Sequence, residues 1–220
     1  MVTSRLLLLS NGPASSDVLA SFVAQISEVL WTKCYTRAMG QSVNNEGHPQ
    51  ATALISEFRS GRAEAIAEEL AGSSALAEQA GAPGLKVLFF ESASEKVTSA
   101  EVLGRGDADT QPETGVMIVQ NHVLPGQMNT FLDFHGTRHL RDVLHAVGFR
   151  HGQVFRALDP RPRGCWWPAA MHDAGTLWSL SDVGGAMKGL VALMSDPKAM
   201  PHNPGSDRAR TRFGYYSLAG

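Results

Sequence analysis

The chain has 220 residues, a net charge of −2, 43% hydrophobic content and 18% charged residues. That composition suits one large globular domain or two small ones, and it excludes a disordered chain. No Lys/Arg cluster forms a basic stripe and no apolar stretch is long enough to span a bilayer, so neither nucleic acid nor membrane is an expected partner.

The chain opens with Arg5-Leu6-Leu7-Leu8-Leu9, too short for the core of a secretory signal and stopped at once by Ser10-Asn11-Gly12-Pro13. It reads as a buried first strand, Arg5 to Ser10. Ser15 or Ser16 caps a helix over Asp17 to Thr32, with Val18, Leu19, Phe22, Ile26, Val29 and Leu30 at helical spacing. Tyr35 to Val43 reads as a strand, and Asn44-Asn45-Glu46-Gly47 turns the chain. Ala51 to Phe58 is strand-like, Ala63 to Glu78 is rich in Ala and Glu and so helical, and Leu85 to Phe90 is a strong strand. The polar stretch Ser92 to Thr114 reads as a linker.

The second half repeats the order. Val116 to Asn121 is a strand, and Pro125-Gly126 opens a helix ending near Val147-Gly148. Phe149 to Leu158 and Cys165 to His172 read as strands, Leu180 to Met194 as a helix and Arg212 to Leu218 as the last strand. Arg208-Ala209-Arg210-Thr211-Arg212 reads as an exposed strand edge. Two copies of βαββαβ imply two ferredoxin-like units, 1–95 and 115–220, joined by a linker at 96–114. A four-stranded sheet with helices on one face needs a cover for the other. The expected fold is therefore α+β: two tandem ferredoxin-like repeats forming an intrachain α+β barrel, with the ligand cavity between the sheets.

Chemistry concentrates in Phe131-Leu132-Asp133-Phe134-His135-Gly136-Thr137-Arg138-His139-Leu140. His135 and His139 are four apart, so they share the helix face of Met128, Phe131, Leu132 and Val143. Imidazoles directed at an apolar interior are natural acid–base groups. A metal would need more ligands than these two and Asp142 supply from one helix, so none is expected. Cys34 and Cys165 are too few for a disulfide framework, and buried thiols in a reducing cytoplasm are expected. No Gly-x-Ser-x-Gly or Gly-x-Gly-x-x-Gly run is present, so neither a serine nucleophile nor a nucleotide cofactor is expected.

Around the histidines the sequence resembles the dimeric α+β barrel proteins and, within them, the EthD-like family. The resemblance covers about 40 residues. It runs from Asn121 through Pro125-Gly126-Gln127 and the histidine segment to Asp142-Val143-Leu144 and Val147-Gly148-Phe149. In the family an aromatic and an acidic residue precede Trp-Tyr, three residues and His. Phe134 stands where Trp is usual, His135 where Tyr is usual, and His139 at the histidine. In the first half Phe22 corresponds to Phe131, but Gln25, Ile26 and Leu30 hold the three key positions. That copy therefore reads as a scaffold without a polar site, and seven of the eight histidines lie in the second half.

The resemblance implies cofactor-free monooxygenases of aromatic polyketides, lactone isomerases, polyketide cyclases and haem-binding enzymes. The expected function is a small-molecule enzyme with an apolar barrel cavity. It uses His139 and His135 for acid–base work on an aromatic or polyketide-like substrate, as a lyase, cyclase, isomerase or cofactor-free monooxygenase. Asn121, Phe131, Phe134, His151, Trp166, Trp167 and Tyr215 are expected to bind that ligand. The alternative is a non-catalytic carrier of a hydrophobic small molecule. A homodimer is an assembly the fold allows.

Overall fold

The computed structural model describes residues 3–10, 23, 26, 29–38, 51–74, 78, 85–104, 111–166 and 172–219. In chain order its elements are β1 (Thr3–Ser10), β2 (Val29–Arg37), β3 (Thr52–Arg59), α1 (Ala63–Ala71), β4 (Lys86–Ser92), β5 (Val97–Thr98) and α2 (Ser99–Leu103). There follow β6 (Gly115–Asn121), α3 (Met128–Phe134), a π turn (His135–His139), α4 (Leu140–Leu144), β7 (Phe149–Leu158), β8 (Ala174–Leu180), α5 (Val183–Met194) and β9 (Arg212–Leu218).

The strands hydrogen-bond in the order β4-β1-β3-β2-β9-β6-β8-β7, and β4 pairs again with β7. That last pairing runs from Phe89 opposite Leu158 to Ser92 opposite Phe155 and closes eight antiparallel strands into a barrel. β5 adds a short edge to β7. Each half supplies four strands in the same internal order, so the tandem ferredoxin-like α+β barrel is the fold of this chain. Closure removes the sheet edges that would otherwise template aggregation.

Alternation along each strand sorts side chains between two interiors. On β1, Leu6 and Leu8 face the first half's helix layer with Ile66 and Leu70 of α1. Leu7 and Leu9 face the barrel axis with Leu88, Phe90, Ile118 and Tyr216. On the second half's outer face, Met117, Trp178 and Tyr215 pack against Phe131, Leu140 and Leu144.

Several boundaries differ from the sequence reading. Val29 to Thr32 belong to β2, not to a helix: Val29-Leu30-Trp31-Thr32 is β-branched or bulky, and Leu30 is 50% exposed, so it marks no buried helical face. The rest of the expected helix, except Val23 and Ile26, lies outside the described residues, as does 39–43 of the expected second strand. The strand expected over Cys165 to His172 is instead Ala174–Leu180. Cys165 and Trp166 are irregular, and 167–171 lie outside the described residues. Ala174-Gly175-Thr176 looks like turn chemistry by composition, but every residue of β8 is buried. The last helix starts at Val183 rather than Leu180, because the Asp182 side chain accepts a hydrogen bond from Gly185 N–H and caps it. The expected linker carries β5 and α2. Arg208 and Arg210 precede β9 rather than lying on its edge. Cys34 and Cys165 are half-buried and not joined in a disulfide.

Gly152 of β7 lies opposite Trp178 of β8, and a Cβ there would come within 2.5 Å of the indole ring and 3.1 Å of Leu140 Cδ2. Gly152→Ala is expected to cost about 1–3 kcal/mol in urea unfolding, because neither indole nor helix has room to retreat.

Candidate active site

The two histidines sit where α3 gives way to α4 through the π turn. The Leu140 N–H bonds the His135 carbonyl, five residues back, instead of four. Local chemistry permits this: Gly136 has no side chain, and the Thr137 hydroxyl donates to the Asp133 carbonyl at 2.6 Å. The widened turn builds a ladder of rings. Phe131 stacks on His135 at 4.3 Å between centroids, His135 lies 4.3 Å from His139, and His139 meets Trp178 edge-on at 6.4 Å.

His135, His139 and Trp178 line a cavity of about 300 Å³ between the second half's helices and the outer face of its sheet. This corrects the sequence reading, which put the ligand cavity between the two sheets. The histidine face of the helix packs on the sheet face away from the barrel axis. Met117, Val119, Val143, Trp178 and Leu190 form the apolar depth. Asn121, buried at the end of β6, donates through Nδ2 to Thr176 Oγ1 at 3.1 Å, and both line the cavity. No carboxylate is among the described lining residues.

The roof was not legible in the sequence. It is the segment between α5 and β9, from which Pro197, Met200, His202, Asn203, Ser206 and Arg208 face the cavity. It is fastened at its middle. The Leu124 N–H donates to the Gly205 carbonyl at 2.9 Å and the Asp207 N–H to the His122 carbonyl at 2.9 Å. A Cβ on Gly205 would meet Phe131 N at 2.9 Å, so only glycine fits there.

Asn203 is buried and ties this roof to the chemistry. Its Oδ1 accepts from Gly205 N–H at 2.8 Å, so its Nδ2 carries the two remaining contacts. Nδ2 donates to the Phe131 carbonyl at 3.0 Å and meets His135 Nδ1 at 2.6 Å. An amide nitrogen can only donate, so His135 Nδ1 accepts and the proton of the neutral ring resides on Nε2. Burial, with a smaller contribution from His139, holds His135 well below the usual imidazole pKa. Burial, then the nearby His202, lowers His139 to about 4. His139 Nδ1 is shut off from solvent and has no hydrogen-bond partner among the described residues. A buried ring nitrogen without such a partner is a polar group whose hydrogen-bonding capacity is unused, on a residue that lines the cavity.

The other expected site residues go elsewhere. Phe131 is fully buried beneath His135. Phe134 lies under the Arg138 guanidinium, 6.0 Å from ring centre, and does not line the cavity. Tyr215 is buried in the helix–sheet core beside Phe213. Trp166 donates to the Leu70 carbonyl at 3.3 Å, against the first half's helix. Trp167 lies outside the described residues. His151 lines a different cavity, inside the barrel. Asp142 pairs with Arg138 at 3.6 Å and is not a lining residue. Among the described residues no cluster of three or more His, Cys, Asp or Glu is placed to hold a metal ion. Haem fits poorly: His139 offers one nitrogen, but a roofed space of about 300 Å³ is small for a porphyrin.

No family model matches the sequence, and a search of curated proteins finds no match. Solved structures do match in fold. An anthrone oxidase-like protein aligns over 100% of this chain and 91% of its own, with TM-score 0.63 and 15% identity. A mutant chlorite dismutase from Candidatus Nitrospira defluvii, in complex with cyanide, aligns over 100% and 91%, with TM-score 0.52 and 10% identity. A monooxygenase candidate from Fusobacterium nucleatum subsp. nucleatum aligns over 100% and 93%, with TM-score 0.50 and 9% identity. The chain thus shares the α+β barrel of proteins described as oxidases and oxygenases.

Asn203→Leu is expected to destabilise the protein by at least about 2 kcal/mol in urea unfolding, because Gly205 N–H and His135 Nδ1 lose their partner in a buried place. A pH effect follows from the depressed imidazoles. His135 and His139, together with His172, which burial also lowers to about 4, bind protons more readily unfolded than folded. Their stabilisation is complete above the ordinary histidine pKa, about 6.5, and is lost as pH falls toward about 4. The melting temperature should therefore drop between neutrality and about pH 4.5, and drop less in His172→Phe.

Proposed function

We propose that this chain is a small-molecule enzyme of the EthD-like kind that removes a proton from an aromatic substrate bearing an enolisable or phenolic oxygen. The observation that carries the reading is the pairing of His139, whose buried Nδ1 has no partner among the described residues, with a tautomer-fixed His135 in a cavity whose described lining holds no carboxylate. His139 is neutral at physiological pH, so it is ready to accept a proton. Burial penalises the imidazolium that forms, but the same transfer creates a negative oxygen on the substrate, and the two opposite charges stabilise each other at low dielectric. His135 Nε2–H faces that oxygen as a hydrogen-bond donor. Among the described lining residues no carboxylate opposes the developing anion.

The likeness to an anthrone oxidase-like protein favours oxidation among the reaction classes such a site supports. Anthrone is a suitable probe because its enolate is a good electron donor. With dioxygen as oxidant the balance is anthrone plus dioxygen giving anthraquinone plus water. His139 takes one methylene proton, the resulting enolate gives its electrons to dioxygen and forms a C–O bond at that carbon, and loss of the second methylene hydrogen with cleavage of the O–O bond leaves one oxygen as the new carbonyl and releases the other as water. The apolar depth and the Trp178 edge suit a flat fused-ring body.

The test is aerobic incubation with anthrone, following oxygen consumption and quinone absorbance. His139→Ala should keep the fold by circular dichroism and lose roughly 10²-fold or more in kcat. Full turnover in that variant rejects the role given to His139. Binding of anthrone without turnover by the wild type identifies a carrier instead. The kcat/KM profile is expected to stay level from neutrality down to about pH 5, lacking the usual histidine limb near 6.5, because His139 loses its proton at about 4.

A further inference from the structure

The barrel encloses a second cavity, of about 1010 Å³, on the opposite face of the second half's sheet from the histidines. The inward positions of the strands divide along the axis. Toward one end they are apolar, with Leu7, Leu9, Phe90 and Ile118 packed together. Toward the other end the same faces carry Arg5 on β1, Lys33 and Tyr35 on β2, Glu57 on β3 and Ser179 on β8, with Glu113 just ahead of β6. Most of this polar wall comes from the first half.

Ion pairs in a barrel interior are a poor way to gain stability, since well-packed apolar side chains there do as well or better. This set is nevertheless fixed in detail. Glu113 Oε1 accepts from Lys33 Nζ at 2.7 Å and from Tyr35 OH at 2.8 Å, and its Oε2 accepts from Ser179 Oγ at 2.6 Å. Arg5 lies against the Trp31 and Phe155 rings, 5.2 and 4.8 Å from their centres. It directs both Nε, at 3.0 Å, and Nη2, at 2.8 Å, to the single oxygen Oε2 of Glu57.

That one-sided pairing leaves open edges. Among the described residues Arg5 Nη1 and Glu57 Oε1 have no partner across the pair, and Lys33 keeps N–H groups beyond the one given to Glu113. Gln153 donates to the Ser94 carbonyl at 3.0 Å, and its Oε1 has no partner among the described residues. Donor and acceptor edges thus line one space. The charges also cancel: Arg5, Lys33 and Lys96 stand against Glu57, Glu95 and Glu113. A carboxylate ligand would meet Glu57 and Glu113, and an amine would meet Arg5 and Lys33. A hydroxyl donates and accepts at once and meets neither penalty. Ile55, Val116 and Leu177 supply an apolar floor for C–H groups.

We propose that the barrel interior is a second ligand site, independent of the histidine pocket, which takes a small neutral polyhydroxylated molecule such as a monosaccharide or cyclitol. The test is saturation-transfer NMR on the full chain with glucose, xylose and myo-inositol, using glutamate and putrescine as charged comparisons. Transfer to the C–H protons of at least one neutral compound is expected. Its affinity should fall about tenfold in Lys33→Met and in Gln153→Leu, each of which removes one open edge, and should be unchanged in His139→Ala. If Lys33→Met fails to fold, Gln153→Leu carries the comparison alone. No transfer from any of the three neutral compounds, equal binding in wild type and Gln153→Leu, or tighter binding of glutamate or putrescine overturns the proposal.

Discussion

Closure of the eight-stranded sheet, completed where β4 pairs with β7, is the constraint that governs the rest of the structure. In β1, β4, β6 and β8, whose residues are mostly buried on both faces, one face looks at the barrel axis and the other at the outer layer of the same half, whereas β2 is largely half-buried or exposed. The pleat assigns alternate residues to two separate interiors, so a shift of one residue would exchange them wholesale. Strands under that constraint read as continuous apolar runs rather than alternating ones. Leu6-Leu7-Leu8-Leu9 and Val87-Leu88-Phe89-Phe90 show it, each divided between the two interiors. The same sorting produces two cavities that share a wall. In β8, Thr176 and Trp178 face the histidine pocket, whereas Leu177 and Ser179 face the barrel cavity.

What was legible in the sequence follows from this. The repeated βαββαβ order and the strands at Phe149–Leu158 and Arg212–Leu218 could be read from bulk and branching alone. The histidine pair could be found because two polar rings at helical spacing interrupt an apolar face. Which cavity they serve could not, because alternation shows that two faces exist without saying which is the inner one. β8 was missed for a related reason. Its Gly175 is small because a Cβ there would come within 2.8 Å of the Phe90 ring, and that need is visible only in three dimensions. The first half read as an inert scaffold because comparison with the second half looked for histidines. Its polar residues lie at inward strand positions, where Arg5, Lys33 and Glu57 are scattered over more than fifty residues and resemble ordinary surface charges.

The roof over the histidines shows the same limit. Asn203 and Gly205 sit in a run of Pro, Asn, Gly and Ser that any reading assigns to a loop. Their importance comes from what they touch, 68 residues away in the case of Asn203 and His135. Loops longer than about a dozen residues inside a compact domain tend to be functional, and this one had that signal in its length alone. The π turn was equally hidden. Gly136 and Thr137 permit it, but only the packing of Phe131, His135 and His139 against the sheet makes use of it.

Asn203 does two things with one amide: it anchors the roof and it decides which nitrogen of His135 carries the proton. Those two properties are therefore a single variable. An Asn203 without its amide would lose both at once: the segment between α5 and β9 would lose its tie to the Phe131 carbonyl, and the His135 ring would be free to exchange its tautomer.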